Sequence, residues 1–288
     1  MTFLEEFKPT QFVLTAESPT LWRVTFDNAP VNVIGPDMLR ELKELLVELE
    51  TDPGVAVVVF DSANPDYFLA HYDLVANPAD AEALPNTTGF AAWPDVLVRL
   101  SKVPAVTISA IRGRARGAGS EFVLATDIRF ASRQKAILGQ MEVGFSALPG
   151  GGAAARLNPL VGRARTFEIL LSGLDFDGDL AERYGYVNRA IDDADFVPFV
   201  DAFALRISRW DPRVIREIKD AVNSVTLPSD DQFPPQSDAF WAAAALPQFQ
   251  AVKNALVEQG LQRATSVELN LGEQIGIIAP VATGSIPR

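Results

Sequence analysis

"PAVTISAIRGRARGAGSEFVLATDIRFAS", residues 104–132, is the stretch from which the fold can be read. Its first eight residues are uncharged and rich in β-branched side chains, the pattern of a strand buried on both faces. Gly113, Gly117 and Gly119 then space a turn, "SEFVLA" enters a short helix, and "DIRFAS" returns as a strand. Backbone N–H groups at such a helix start have no intrahelical acceptor, so the turn suits an oxyanion or a phosphate. Ordinary close packing asks for the same glycines, and the turn alone does not separate the two readings.

Upstream, "TLWRVTFDN" (20–28) alternates apolar and polar residues and ends in the turn Asp27-Asn28-Ala29-Pro30. From 36 to 50, Met38, Leu39, Leu42, Leu45, Leu46 and Leu49 recur at helical spacing, and "VAVVVFDS" (55–62) is another buried run. Strand, helix, strand predicts a parallel crossover unit, and a further helix near 90–101 leads into the quoted stretch. Downstream, "LPGGGAAARLNPLVGRARTFEILLSG" (148–173) predicts a glycine turn and two helices closed by Gly173; Gly185 repeats the device in "LAERYGYVNRAI".

Beyond about residue 193 the pattern is nearly all helical. One helix starts at Asp211-Pro212 with Val214, Ile215, Ile218 and Val222 on its apolar face; another spans about 249–259 and stops at Gly260. Residues 227–237 read as a loop and 277–288 as a loose tail. The expected division is an α/β core with the active site, 1–195, and a helical section, 196–288. There is no internal repeat at a solenoid period.

Composition narrows the function. Of 288 residues, 48% are hydrophobic and 22% charged, which is globular, and no apolar run nears the roughly 20 residues of a spanning helix. A net charge of −12 argues against a nucleic-acid backbone as partner, though not against a small phosphorylated molecule. The absence of cysteine and the single histidine, His71, remove disulfide and thiolate chemistry and argue against zinc. The acidic opening "MTFLEEFKPT" lacks the basic start of a secretory signal, so a cytoplasmic location is expected.

Two glutamates flank glycine turns: Glu121, two residues past Gly119, and Glu142 in "LGQMEVG", shortly before Gly150. A lone glutamate is normally a solvated helix face. Two that converge on one pocket would repel and desolvate each other, leaving one as base and one as acid. His71, in "YFLAHYDL" (67–74), offers a second candidate base with Asp73 beside it.

Together, "YFLAHYDL", "IRGRARGAGSEFVLATDIRFAS", "LGQMEVGFSALPGGGAAARL" and "AERYGYVNRAI" resemble, in order and spacing, the enoyl-CoA hydratase/isomerase (crotonase) family over about residues 20–192. The resemblance implies an α/β, crotonase-like spiral of ββα units followed by a helical C-terminal trimerisation section, with a homotrimer or dimer of trimers as the assembly. It implies an acyl-CoA thioester substrate and a lyase of enoyl-CoA hydratase type, with isomerase activity a further possibility and with no metal or cofactor beyond the coenzyme A of the substrate. The backbone N–H groups of Tyr72 and Ala118 would hold an enolate oxygen. Glu121 would activate the water, Glu142 would protonate the α-carbon, and Ala70, His71, Leu74 and Gly150 would contact substrate.

The sequence departs from the family in its site lining. Ala70-His71-Tyr72-Asp73 stands where small residues are usual, no Lys or Arg precedes it, and Gly152-Ala153-Ala154-Ala155-Arg156 replaces a more polar segment. Arg112, Arg114 and Arg116 suit either the phosphates of coenzyme A or acidic partners. Two rival readings remain: a hydrolase of C–C or thioester bonds with His71 as base and Ser120 as nucleophile, and a catalytically silent binding relative.

Overall fold

The computed structural model describes residues 3–284. Among them are ten strands: β1 (Phe12–Ser18), β2 (Leu21–Phe26), β3 (Val57–Ser62), β4 (Tyr67–Leu69), β5 (Val106–Ile111), β6 (Arg114–Arg116), β7 (Ile128–Ser132), β8 (Ile137–Gly139), β9 (Phe176–Asp177) and β10 (Arg189–Ile191). Six form one sheet, in the order β1-β2-β3-β5-β7-β10, and four form a second, β4-β6-β8-β9. The first sheet is parallel from β2 onward, with β1 antiparallel at its edge. Val57, Val58, Val59 and Phe60 are buried, as a strand covered on both faces requires.

The chain winds as a spiral. In successive turns β3 is followed by β4, β5 by β6, and β7 by β8, and each pair leads on to helical segments. Equivalent strands stack in parallel register, Leu69 opposite Ala115 and Arg116 opposite Gly139. Neighbouring strands lie about 4.8 Å apart. The three segments leaving the second sheet, near residues 70–74, 117–121 and 140–145, are therefore side by side although they come from distant parts of the sequence. The Gly117 N–H donates to Gly139 O at 2.9 Å and the Arg116 N–H to Ala70 O at 3.3 Å, which ties all three together.

Between the layers sits an aromatic core. Phe122 meets Phe60 and Phe26 edge-on at 5.1 and 5.5 Å, so the residue after Glu121 anchors the helix Ala118–Ala125 in fixed orientation. No helix among the described residues is long and apolar enough to cross a membrane.

Past residue 193 the described chain is helical, with two departures from expectation. The segment expected as a loop at 227–237 already starts the helix Pro234–Ala244. The expected loose tail is, as far as Ala282, the helix Leu271–Ala282, whose Leu271, Ile275, Ile278 and Ala279 join Met141, Phe145 and Phe249 in one buried cluster. Helical spacing of apolar residues outweighs the Gly and Pro punctuation there. Residues 285–288 of that tail lie outside the described residues.

Candidate active site

A cavity of about 160 Å³ opens where the three segments meet, and it is lined mainly by apolar and aromatic side chains. Most of the expected site residues border it: His71, Tyr72, Leu74, Ala118, Glu121, Glu142 and Gly150. Ala70 is not among them. Its side chain packs with Val31 and Tyr67, and its backbone bonds Asn32 and Arg116.

Two peptide N–H groups at the cavity, those of Tyr72 and Ala118, have no hydrogen-bond partner among the described residues. Around the first, the Ile34 N–H donates to His71 O at 2.9 Å and the Asp73 N–H donates to Ile34 O at 3.0 Å, fixing the segment without using the Tyr72 N–H. The second is free because Ala118 is the first residue of its helix. Gly117 makes that start possible. Its φ of 49° lies in the left-handed region, and a Cβ there would sit 2.9 Å from Glu142 Oε1.

Glu121 and Glu142 are both buried at the cavity wall. Glu121 is held at both oxygens: the Gly151 N–H donates to Oε1 at 2.6 Å, and Trp93 Nε1–H donates to Oε2 at 2.9 Å. Burial pushes its carboxyl up to about 7, against the opposing pull of those two donors. Glu142 is pushed up to about 8 by burial and then by the charge of Glu121. With the Gln140 amide nitrogen turned toward Glu142, it donates to Oε2 at 3.0 Å, while its oxygen accepts from Ser120 Oγ at 3.0 Å. Ser120 Oγ also bonds the Tyr186 hydroxyl. An amide can serve either state of Glu142, nitrogen toward a carboxylate or oxygen toward a carboxyl.

The histidine has a different setting. His71 is 1% exposed. Its Nδ1 lies 2.8 Å from Tyr72 O and its Nε2 3.2 Å from both oxygens of Glu268. Both ring nitrogens thus face acceptors, which is the arrangement of an imidazolium. Each ring nitrogen is already engaged within the chain, which argues against a general base. Ser120 is fully buried in the Tyr186–Gln140 chain and is not among the residues bordering the cavity.

The three arginines of the second turn are held within the chain. Arg112 forms a two-pronged pair with Asp193 at 2.7 and 2.8 Å, Arg116 a similar one with Asp175 at 2.7 and 2.6 Å, and Arg114 Nε donates to Leu269 O at 2.6 Å. A phosphate role for them loses its support.

Sequence reasoning missed Trp93, Gln140, Gly151 and the aromatic wall of Phe240, Trp241 and Phe249. The last three come from the helical section, so the cavity is built from both halves of the chain. Trp241 packs edge-on against Tyr72 with ring centroids 6.0 Å apart. Beside the cavity lies a recess of about 470 Å³ that shares Tyr72, Phe240 and Trp241 with it and carries Lys253.

Residues 16–258 match the family model described as "Enoyl-CoA hydratase/isomerase". A crystal structure from Streptomyces avermitilis, provisionally named an enoyl-CoA hydratase, is 40% identical with a TM-score of 0.88, covering 93% of this chain and 97% of that one. The "Probable enoyl-CoA hydratase echA8" of Mycobacterium leprae is 31% identical over 195 residues, 67% of this chain and 73% of that protein. The "Short-chain-enoyl-CoA hydratase" of Clostridium acetobutylicum is 28% identical over 193 residues, with the same coverage. The activity named for these relatives is that of a lyase. On the spiral of paired strands, the match along most of its length and these relatives, the chain belongs to the enoyl-CoA hydratase/isomerase family.

Proposed function

We propose that the protein adds water syn across the double bond of a 2-enoyl thioester of coenzyme A. The observation that carries this reading is a pair of buried glutamates at the same cavity as two peptide N–H groups without a partner among the described residues. The N–H groups of Tyr72 and Ala118 receive the thioester oxygen as it gains negative charge. Losing one such donor typically costs about 3–4 kcal/mol of transition-state stabilisation.

Burial and mutual repulsion leave the pair one proton around neutral pH, and the Gly151 and Trp93 donors, which favour the ionised form of Glu121, leave it on Glu142. Glu121, ionised, holds the water and takes a proton from it as oxygen bonds to the β-carbon. Glu142 gives its proton to the α-carbon of the enolate. Delivery of both from carboxyls on the same face of the double bond makes the addition syn. Peptide dipoles supply the polarisation, and coenzyme A enters only as part of the substrate, its arm leaving through the recess that carries Lys253.

The geometry argues against the hydrolase reading, because His71 has both nitrogens engaged and Ser120 does not border the cavity. Purified protein tested on short and long 2-enoyl-CoA esters is expected to consume the conjugated double bond without releasing free thiol. Glu121→Gln and Glu142→Gln should each lose roughly 10²–10⁴-fold in kcat. Full activity in both variants would overturn the dyad, thiol release would favour a hydrolase, and a shifted double bond would identify an isomerase. No turnover of any thioester would leave the silent binding relative.

A further inference from the structure

The helical section reaches back to the segment that carries Tyr72 through a buried polar cluster that the hydration steps above do not use. Glu268, on the short helix Ser266–Leu269, is fully buried and faces the His71 ring. Its Oε2 accepts the Gln262 N–H at 2.7 Å, and Gln262 sits at φ 61°, a left-handed conformation uncommon for a side chain other than glycine. The Gln262 amide in turn grips the same segment twice: Nε2 donates to Asp73 Oδ1 and Oε1 accepts the Leu74 N–H, each at 2.8 Å. Arg116 NH1 donates to Glu268 O at 3.0 Å. Glu268 and Gln262 thus reach His71, Asp73 and Leu74 from the helical section, while Arg116 of the neighbouring β6 holds the helix that carries Glu268.

Within that clamp the His71 ring has one special relation. Its Nδ1 is bonded to the carbonyl of Tyr72, and the His71 carbonyl is held by the Ile34 N–H. The peptide group that presents the Tyr72 N–H is thus fixed at its own carbonyl oxygen and again one residue on. We propose that His71 and Glu268 are positioning residues: a buried imidazolium–carboxylate pair through which the docked helical section aims the Tyr72 N–H at the substrate oxygen. The proposal rests on the thioester reading of the cavity and adds to it a requirement for charge at His71.

The charged and titratable groups around the ring are Glu268 from the helical section, Arg116 from β6, Tyr67 from β4, Asp73 on its own segment, and Glu121 and Glu142 across the cavity. Arg116 opposes the imidazolium, but its guanidinium is paired with Asp175. Burial also opposes the charge, and Glu268 together with the Tyr72 carbonyl outweighs both, so the ring holds its proton above the ordinary imidazole range. Glu268 is correspondingly held below the ordinary carboxylate range, where His71 overcomes the effect of burial.

Because the chain has one histidine and four tyrosines, isotope labelling reads the site without ambiguity. In the full-length protein labelled with ¹⁵N-histidine, both ring nitrogens are expected at imidazolium shifts at pH 7.5. A neutral ring there would overturn the pair. Glu268→Gln keeps the shape and removes the counter-charge, so its ring should titrate at or below about 6.5. With ¹⁵N-tyrosine, the Tyr72 amide of this variant should move with the same midpoint. Relative to wild type at the same pH, its kcat on a turned-over enoyl-CoA should fall about tenfold as pH rises through that midpoint, with KM within about threefold.

Ring titration with no matching limb in kcat would make the pair merely structural and sink the positioning role. If Glu268→Gln does not fold, His71→Gln, which keeps a donor toward Glu268, serves in its place. It should lower kcat about tenfold at pH 7.5 with KM little changed, and unchanged kcat would overturn the role. Should no thioester be turned over by the wild type, the function fails on that result alone. The ring shifts and the coupled Tyr72 amide still decide the clamp.

Discussion

At the scale of single residues, the site depends on how differently burial treats its carboxyls and its imidazole. Desolvation raises Glu121 and Glu142, neither of which has a salt bridge among the described residues, whereas Glu268 overcomes the same penalty for His71. Glu121 as base must be ionised, so kcat/KM should fall as pH drops below about 7; Glu142 as acid must be protonated, so it should also fall as pH rises above about 8. The expected profile is a narrow bell. Trp93 shapes its acid side, because its indole N–H favours the ionised form of Glu121. In Trp93→Phe that donor is gone and burial acts with less opposition. A hydrogen bond to a charged group is worth about 1.5 kcal/mol, so the acid limb should move up by about one pH unit. A limb that stays in place in Trp93→Phe would show that the indole only fills space.

At the scale of elements, the working parts are held by close backbone contact between successive turns of the spiral. A Cβ on Gly119 would run into the carbonyl of Leu69, so the helix Ala118–Ala125 can rest on β4 only with glycine there. Gly119→Ala should push the helix start away from β4 and with it Ala118 away from Tyr72. A displacement of about 1 Å costs on the order of 100-fold in rate, and the overpacking itself costs about 1–3 kcal/mol. Steady-state kinetics and urea unfolding measure the two separately; unaltered kinetics would mean the two donors do not depend on this contact. Much of this scale was legible beforehand. The runs 55–62 and 104–111 announced buried strands, and Gly117 to Glu121 announced a helix start beside a carboxylate. The edge strand β1 was not legible, because an edge needs only one buried face and its alternation is weak. Trp93 and Glu268 were not legible either, because each acts on a residue from a separate segment; Gln140 lies two residues from Glu142, but its other partner, Ser120, also comes from a separate segment.

At the scale of the molecule, the helical section is only half accounted for by one chain. The helix Pro212–Thr226 buries Ile215 but leaves Ile218 at 61% and Val225 at 82% exposed, with Val214 and Val222 also open to solvent on the same stripe. The helix Arg163–Ser172 exposes Phe167 and Leu171. Soluble monomers rarely leave apolar stripes of this kind uncovered. We expect this face to be covered by copies of the chain, in a trimer or a dimer of trimers, and light scattering should therefore return three or six times the mass of one chain. Every chain carries a net charge of −12, so assembly works against like-charge repulsion and should tighten as salt rises from about 0.01 to 0.15 M, where the Debye length shrinks from about 30 to 8 Å. Ile218→Asp changes a side chain that is mostly exposed in a single chain. It should leave the fold intact while shifting the mass toward one chain at low salt. A wild-type protein that remains a single chain at micromolar concentration across that salt range would remove the assembly from the account.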